Sequence, residues 1–291
     1  MGLVAAICCR IVRIGLSGGG NTAERAIEQA VEAESDGFSS LWYAGNIGGD
    51  PLVQMALAGR ATDAIELGTS VVQTYTCHPV LQANRVKAVA AVIGRPMTLG
   101  IGPSHQVVIE RLGLSYAGVG KHVEEYVKAV TALLGDEDPV LVAALGPVLL
   151  RVAGAHAAGT ILWMANAWAI ESHVAPRITA AAGEAGRGAP RIVAGLPVAV
   201  HDDAAEARTT ASEQFALYGT LPNYQRILAH GGIDSPADAA IVGDEAEVTS
   251  QIEGLFAAGA TDVWAAPFPV GEDRSGSRRR TRALLADLAR R

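Results

Sequence analysis

The chain has 291 residues, of which 49% are hydrophobic and 18% charged, enough apolar material for one large α/β domain and too much for a disordered chain. Its formal net charge of −7 argues against a general role on nucleic acid or on an anionic membrane surface. The three cysteines, Cys8, Cys9 and Cys77, form neither a disulfide framework nor a metal-ligand spacing with histidine, so a reducing, cytoplasmic setting is expected.

Residues 1–10 are apolar but too short to span a bilayer, and they read as an extension ahead of the first core strand. From there short aliphatic runs alternate with helical segments, the pattern of βα units around a parallel sheet. Residues 11–16 form the first predicted strand. The glycine turn at residues 18–20 then leads into a helix over residues 22–34, with Thr22 or Asn21 as its N-cap. Ser40–Tyr43 is the second strand, residues 66–72 the third and residues 97–101 the fourth, with helices at 51–61 and 79–92 between them. Val123, Val127, Val130 and Leu134 mark a helix over residues 121–134, and only residues 135–139 separate it from a fifth strand at 140–144. Strands at 160–163, 192–200 and 262–266 follow, with helices opening at Pro147 and covering residues 172–185, 203–218, 245–258 and 277–290. The stretch around Pro222 and Pro236 reads as irregular. Eight strands with following helices and no linker between halves give one domain over residues 1–291, a (β/α)8 TIM barrel. An open doubly wound sheet is the alternative, but it would carry a nucleotide fingerprint after its first strand, and none is convincing.

Chemistry collects where strands end and helices begin, which in such a barrel is a single face. From Thr98 to His105 an apolar strand runs into Gly100 and Gly102 and then into Ser104 and His105. Glycine lets the backbone approach a flat ring closely, and the Ser-His pair stands where a ligand would be; the plain reading is a solvated turn. The third strand continues through Gln73 and Thr74 into Tyr75 and His78. Tyr75 can hydrogen-bond or transfer protons, whereas His78, before Pro79, reads as a helix cap. Strand, glycine and helix start recur at residues 140–148, so Gly146 and the amides beyond Pro147 are a candidate anion site. Gly15, Ser17 and Gly19 match a nucleophile elbow, but a glycine turn at the barrel mouth explains them better. Arg278, Arg279, Arg280 and Arg282 read as the solvated face of the last helix, with Arg290 and Arg291 near its C-terminus. His122, His156, His173, His201 and His230 show no ligand spacing, and no metal site is expected.

Several of these segments, in order, resemble the luciferase-like monooxygenase superfamily, and within it the actinobacterial oxidoreductases that use the deazaflavin F420. The similar blocks are residues 33–42, 65–72 with His78 and Pro79, 99–105, 140–147, 195–200 and 261–267. The resemblance implies a luciferase-like barrel with the cofactor ring near the ends of strands three and four. It implies a non-prolyl cis peptide between Ser70 and Val71 behind that ring, with Gln73 close by. Gly100 and Gly102 would line the ring, Ser104 and His105 would stand beside its reactive edge or its tail, and Ala144, Leu145 and Gly146 match the region that holds the phosphate. The implied activity is hydride transfer between C5 of F420 and a small organic substrate, with His105 as first candidate for proton delivery and Tyr75 as second. An FMN-dependent monooxygenase and a catalytically silent flavin or F420 binder are the alternatives. A homodimer is expected because members of the superfamily commonly pair. Two departures stand out. Relatives acting on sugar phosphates and alcohols carry an Asp-His pair after strand two where this chain has Gly45 and Asn46, and residues 135–139 replace a longer insertion that includes a hairpin.

Overall fold

The computed structural model describes residues 12–20, 22–45 and 49–291. The expected extension at residues 1–10, with Cys8 and Cys9, and the residues Asn21 and Asn46 lie outside the described residues. The strand segments are β1 (Ile14–Gly18), β2 (Ser40–Tyr43), β3 (Glu66–Thr69), β4 (Val72–Gln73), β5 (Leu99–Gly102), β6 (Val140–Val142), β7 (Gly159–Trp163), β8 (Arg191–Val200), β9 (Ile241–Gly243) and β10 (Asp262–Pro267). All pair in parallel, in the order β3-β2-β1-β10-β8-β7-β6-β5-β4. Aliphatic runs with both faces covered are what a parallel sheet under a ring of helices requires.

The ring closes because β3 and β4 are two halves of one barrel strand. Thr69 N donates to Thr98 O (3.1 Å) and Thr98 N to Leu67 O (2.9 Å), tying β3 to the start of β5, while β4 pairs with β5 directly. The result is the (β/α)8 barrel that the alternation of elements implies. The third strand, expected to run unbroken over residues 66–72, is split by a cis peptide between Ser70 and Val71, as the resemblance implies.

Three other stretches differ from expectation. The segment after β8 holds helices Pro222–His230 and Pro236–Ala239 and the extra strand β9, which pairs with the end of β8. Proline there starts helices rather than breaking them, since its missing N–H is unneeded in the first turn. The helix at 172–185 is preceded by a wide turn, Ile170–Val174, in which Ala175 N bonds to Ile170 O just ahead of Pro176, whose ring removes the next donor. The arginines of the last helix are not merely solvated: Arg280 bridges Glu245 (2.6 Å) and Asp202 (2.6 Å), and Arg282 bridges Asp36 (2.7 Å).

The N-terminal mouth of the barrel is plugged by charge. Arg191, at the start of β8, donates to Glu66 at the start of β3 (2.7 Å) and to Asp262 at the start of β10 (2.9 Å), and Arg13 bridges the same two carboxylates. Arg191 also lies 5.6 Å from the centre of the Trp42 ring, so the ionic layer rests on an apolar one made by Trp42, Leu141, Ile161, Val193 and Trp264. Glycines make room for that layer: a Cβ at Gly68 would fall 2.4 Å from the Trp42 ring.

Burial pushes the Asp262 carboxyl up, but hydrogen bonds from Arg191, Thr261 and Arg13 and the charge of Arg191 outweigh it, and the net direction is down. A carboxyl depressed in the fold stabilises it fully above the unfolded value near about 4 and loses that contribution as pH falls through the depressed value. Asp262→Asn is therefore expected to cost about 2–3 kcal/mol by urea unfolding at neutral pH, because it leaves the partly buried guanidinium charge of Arg191 with one carboxylate partner instead of two. It should also flatten the acid limb of the stability curve; a loss below about 1 kcal/mol with an unchanged acid limb would contradict the role given to this ion cluster.

Candidate active site

The opposite mouth holds a cavity of about 990 Å³. Three walls follow the β3–β4 break and the ends of β5 and β6, and helix Pro222–His230 with residues of β7 and β10 completes the lining.

The first wall is the break between β3 and β4. Ser70 N donates to Tyr43 O (2.8 Å) and Gly45 N to Val71 O (3.2 Å), clamping the cis peptide from the β2 side. Ser70 and Val71 line the cavity, and the Ser70 hydroxyl is buried with no protein partner. Thr69 secures the other side, donating to Gly100 O (2.7 Å) and accepting from Gly100 N (2.8 Å). A Cβ at Gly100 would lie 1.9 Å from Thr69 O, so that glycine serves the close approach of two strands and is not part of the cavity wall. Gly102 is: a Cβ there would meet Val71 and Ala143 at 3.0 Å, and its absence keeps the wall flat.

The second wall follows β5. Ser104 adopts a left-handed φ of 62°, and its carbonyl accepts from the Tyr116 hydroxyl at 3.0 Å. His105 then opens the helix Gln106–Arg111 without capping it through its side chain. The half-buried imidazole lies 5.8 Å from the Tyr224 ring, and burial pulls its pKa below the usual histidine value, so the neutral form prevails at pH 7.

The third wall follows β6. Leu145 and Gly146 line the cavity at the N-terminus of helix Pro147–His156, whose first turn has no side-chain cap and leaves its amides open to an anion. The Leu145 carbonyl accepts from His173 Nε2 (2.8 Å), and His173 stacks on His230 with ring centres 3.7 Å apart. Ala144 is fully buried behind this turn.

The remaining expected residues lie outside the walls. Gln73 ends β4 in register with Gly102. Tyr75 stacks on His122 (3.9 Å) and on Tyr116 (5.7 Å), so it backs a wall residue rather than facing the cavity. His78 caps helix Pro79–Ile93, its Nδ1 accepting from Val80 N at 3.3 Å. Ser17 is exposed on β1 and is no part of the wall.

Sequence reasoning missed Tyr116, Asn223, Tyr224 and Arg226, all of which line the cavity, and the floor residues Trp163 and Trp264. The signal for the helix Pro222–His230 was present: a proline followed by Tyr224, Ile227 and Leu228 at helical spacing. Trp163 ends β7 and Trp264 lies within β10, both on strands that the sequence marks.

Comparison with known proteins agrees with this architecture. The model of the luciferase-like monooxygenase family matches residues 6–275. The chain belongs to that family. A 5,10-methylenetetrahydromethanopterin reductase of Methanolobus tindarius is 25% identical over 236 residues, 72% of this chain and 72% of its own. The solved coenzyme F420-dependent tetrahydromethanopterin reductase of Methanopyrus kandleri superposes with a TM-score of 0.78 at 19% identity, covering 94% of this chain and 97% of that one. The FMN complex of the oxygenating constituent of 3,6-diketocamphane monooxygenase from Pseudomonas putida gives 0.74 at 18% identity, covering 96% and 97%.

Within this luciferase-like barrel the wall residues fit a flat ring with an anionic tail: an orphaned hydroxyl at Ser70, a glycine-flattened surface at Gly102 and open amides beyond Gly146. The described residues hold no cluster of His, Cys, Asp and Glu suited to a metal ion, and no helix among them is long and apolar enough to cross a membrane.

The glycine at the end of β2 has a physical reason as well. A Cβ at Gly45 would lie 2.8 Å from Val71 O, under the cis peptide. Gly45→Asp is expected to destabilise the protein by about 1–3 kcal/mol through overpacking, read as a lower unfolding midpoint. An unchanged midpoint would show that the bulge tolerates a side chain beneath it.

Proposed function

We propose that the protein is an F420-dependent oxidoreductase acting on a small organic substrate. The observation that carries this reading is the wall formed by Ser70, Val71 and Gly102, facing the same cavity as His105 and the uncapped helix start at Gly146. F420-dependent enzymes among the relatives support it. When bound, F420 supplies two-electron hydride chemistry at ring carbon C5.

The chain's own residues supply position and proton handling. Ser70, Val71 and Gly102 would hold the ring, and Leu145, Gly146 and the amides after Pro147 the anionic tail. His105 takes the hydroxyl proton of an alcohol as that alcohol loses hydride, and returns it to a carbonyl oxygen in the reverse direction. Tyr75 acts through Tyr116, keeping the Ser104 turn in place, as a positioning residue. Gln73, Gly100 and Ala144 set the strands behind the ring.

Two measurements test this. Titrating purified protein with F420 and, separately, with FMN while following cofactor fluorescence is expected to give saturable binding of F420 and none of FMN. Tight FMN binding without F420 binding would replace the proposal with a flavin monooxygenase, and F420 binding without turnover on any of a panel of alcohols and ketones would favour a silent binder.

His105→Ala should lower turnover by about 100-fold or more while leaving the unfolding midpoint nearly unchanged. In the alcohol-oxidising direction the neutral imidazole is the competent form. The rate of the parent enzyme should therefore hold as pH falls and drop only below the ordinary histidine value of about 6.5. A rate profile that keeps the same acid limb in the alanine variant would remove His105 from the reaction.

A further inference from the structure

Trp163 on β7 and Trp264 on β10 both stand in register with Gly195 of β8, the strand between them. Gly195 has no side chain to separate them; a Cβ there would lie 2.1 Å from the Trp264 ring. The two indoles therefore meet over the glycine, stacked with centres 5.0 Å apart and planes inclined by 21°. Tyr218 packs edge-on against Trp163 (5.8 Å), Tyr224 edge-on against Tyr218 (4.9 Å), and Tyr224 lies 5.8 Å from His105. A continuous aromatic series thus runs from the barrel floor to the imidazole at the mouth. Trp163, Trp264, Tyr224 and His105 all line the cavity.

The charges on the cavity wall are elsewhere. Glu110 and Arg226 line it but are solvent-exposed, at the rim, and the floor is aromatic and aliphatic. A phosphate or carboxylate on the substrate would have no counter-charge at that depth, where the polar groups are the buried, unpartnered indole N–H groups of Trp163 and Trp264, and neutral donors do not repay the desolvation of an anion. At about 990 Å³ the space is at the upper end of the roughly 300–1,000 Å³ usual for a small-molecule site, which leaves room for a second organic molecule beside a cofactor head.

We infer that this aromatic wall is the substrate subsite and that the substrate is a neutral, planar, conjugated molecule packed on the Trp163–Trp264 pair. The inference deepens the oxidoreductase reading above and rests on it for the substrate's role, but not for its binding. Flat rings stack on indole faces in offset geometry, whereas a saturated ring of the same skeleton is puckered and gains only buried area.

The matched probes are 2-naphthol and trans-decahydro-2-naphthol, which share skeleton and hydroxyl and differ in planarity. Calorimetric titration of the F420-loaded protein is expected to show 2-naphthol binding about tenfold more tightly. Trp163→Leu and Trp264→Leu should each erase most of that preference, and Trp163→Phe and Trp264→Phe should keep most of it, so that loss of folding in a leucine variant does not decide the matter. Equal affinity for the two probes, failure of both to bind, or a preference that survives both leucine variants would overturn the inference. So would competition between 2-naphthol and F420, which would make the wall a cofactor surface. Should F420 not bind while the naphthol preference persists in the protein alone, the cofactor reading fails and the aromatic subsite stands.

Discussion

Everything at the functional end of this barrel depends on how closely Thr69 and Gly100 approach. The threonine hydroxyl both donates to and accepts from the backbone of the glycine, and the missing Cβ is what lets the strands come together. That contact closes the ring on one side of Ser70, and the β4–β5 pairing closes it on the other. The chain between them is held away from the regular ladder, and Val71 reaches the cavity. Gly45 beneath the bulge and Gly102 beside it are consequences of the same crowding.

The two mouths of the barrel divide stability from chemistry. At the N-terminal end, side chains from the starts of strands far apart in sequence neutralise one another: Arg13, Glu66, Arg191 and Asp262. Because these charges are paired with one another, they offer nothing to a ligand. Above them the layer of Trp42, Leu141, Ile161, Val193 and Trp264 seals the interior. At the C-terminal end the cavity wall is mostly apolar, and burial lowers the pKa of its half-buried histidine, His105, which favours the neutral form. An interior of this kind suits chemistry on an uncharged substrate.

Most of the framework was legible because strand and helix periods alternate cleanly, and because glycine and polar residues mark each strand end. Ser70, Val71, Gly102, Ser104, His105, Leu145 and Gly146, singled out as residues in a line, are brought to one cavity. Gly100 was singled out for the same reason as Gly102, and two residues apart on one strand they share a face. Gly100 sits one step further back, spent on the close approach to Thr69, and does not reach the cavity. Tyr75 carries suitable chemistry but is spent on stacking. Helix Pro222–His230 went unread because the stretch around Pro222 and Pro236 reads as irregular, and with it went Asn223, Tyr224 and Arg226.

Local sequence determined which segments become strands and helices, where each turn falls and which strand ends carry reactive groups, because those properties depend on periodicity and on the conformational limits of glycine and proline. Only the closed barrel decided which groups share a cavity. Trp163 and Trp264 are about a hundred residues apart and meet because β7, β8 and β10 are neighbours with a glycine at the shared register. Leu145 is held by His173 through a hydrogen bond that no spacing announces. Register and closure are set by long-range packing, and the sequence carries them only as a sum of many weak preferences.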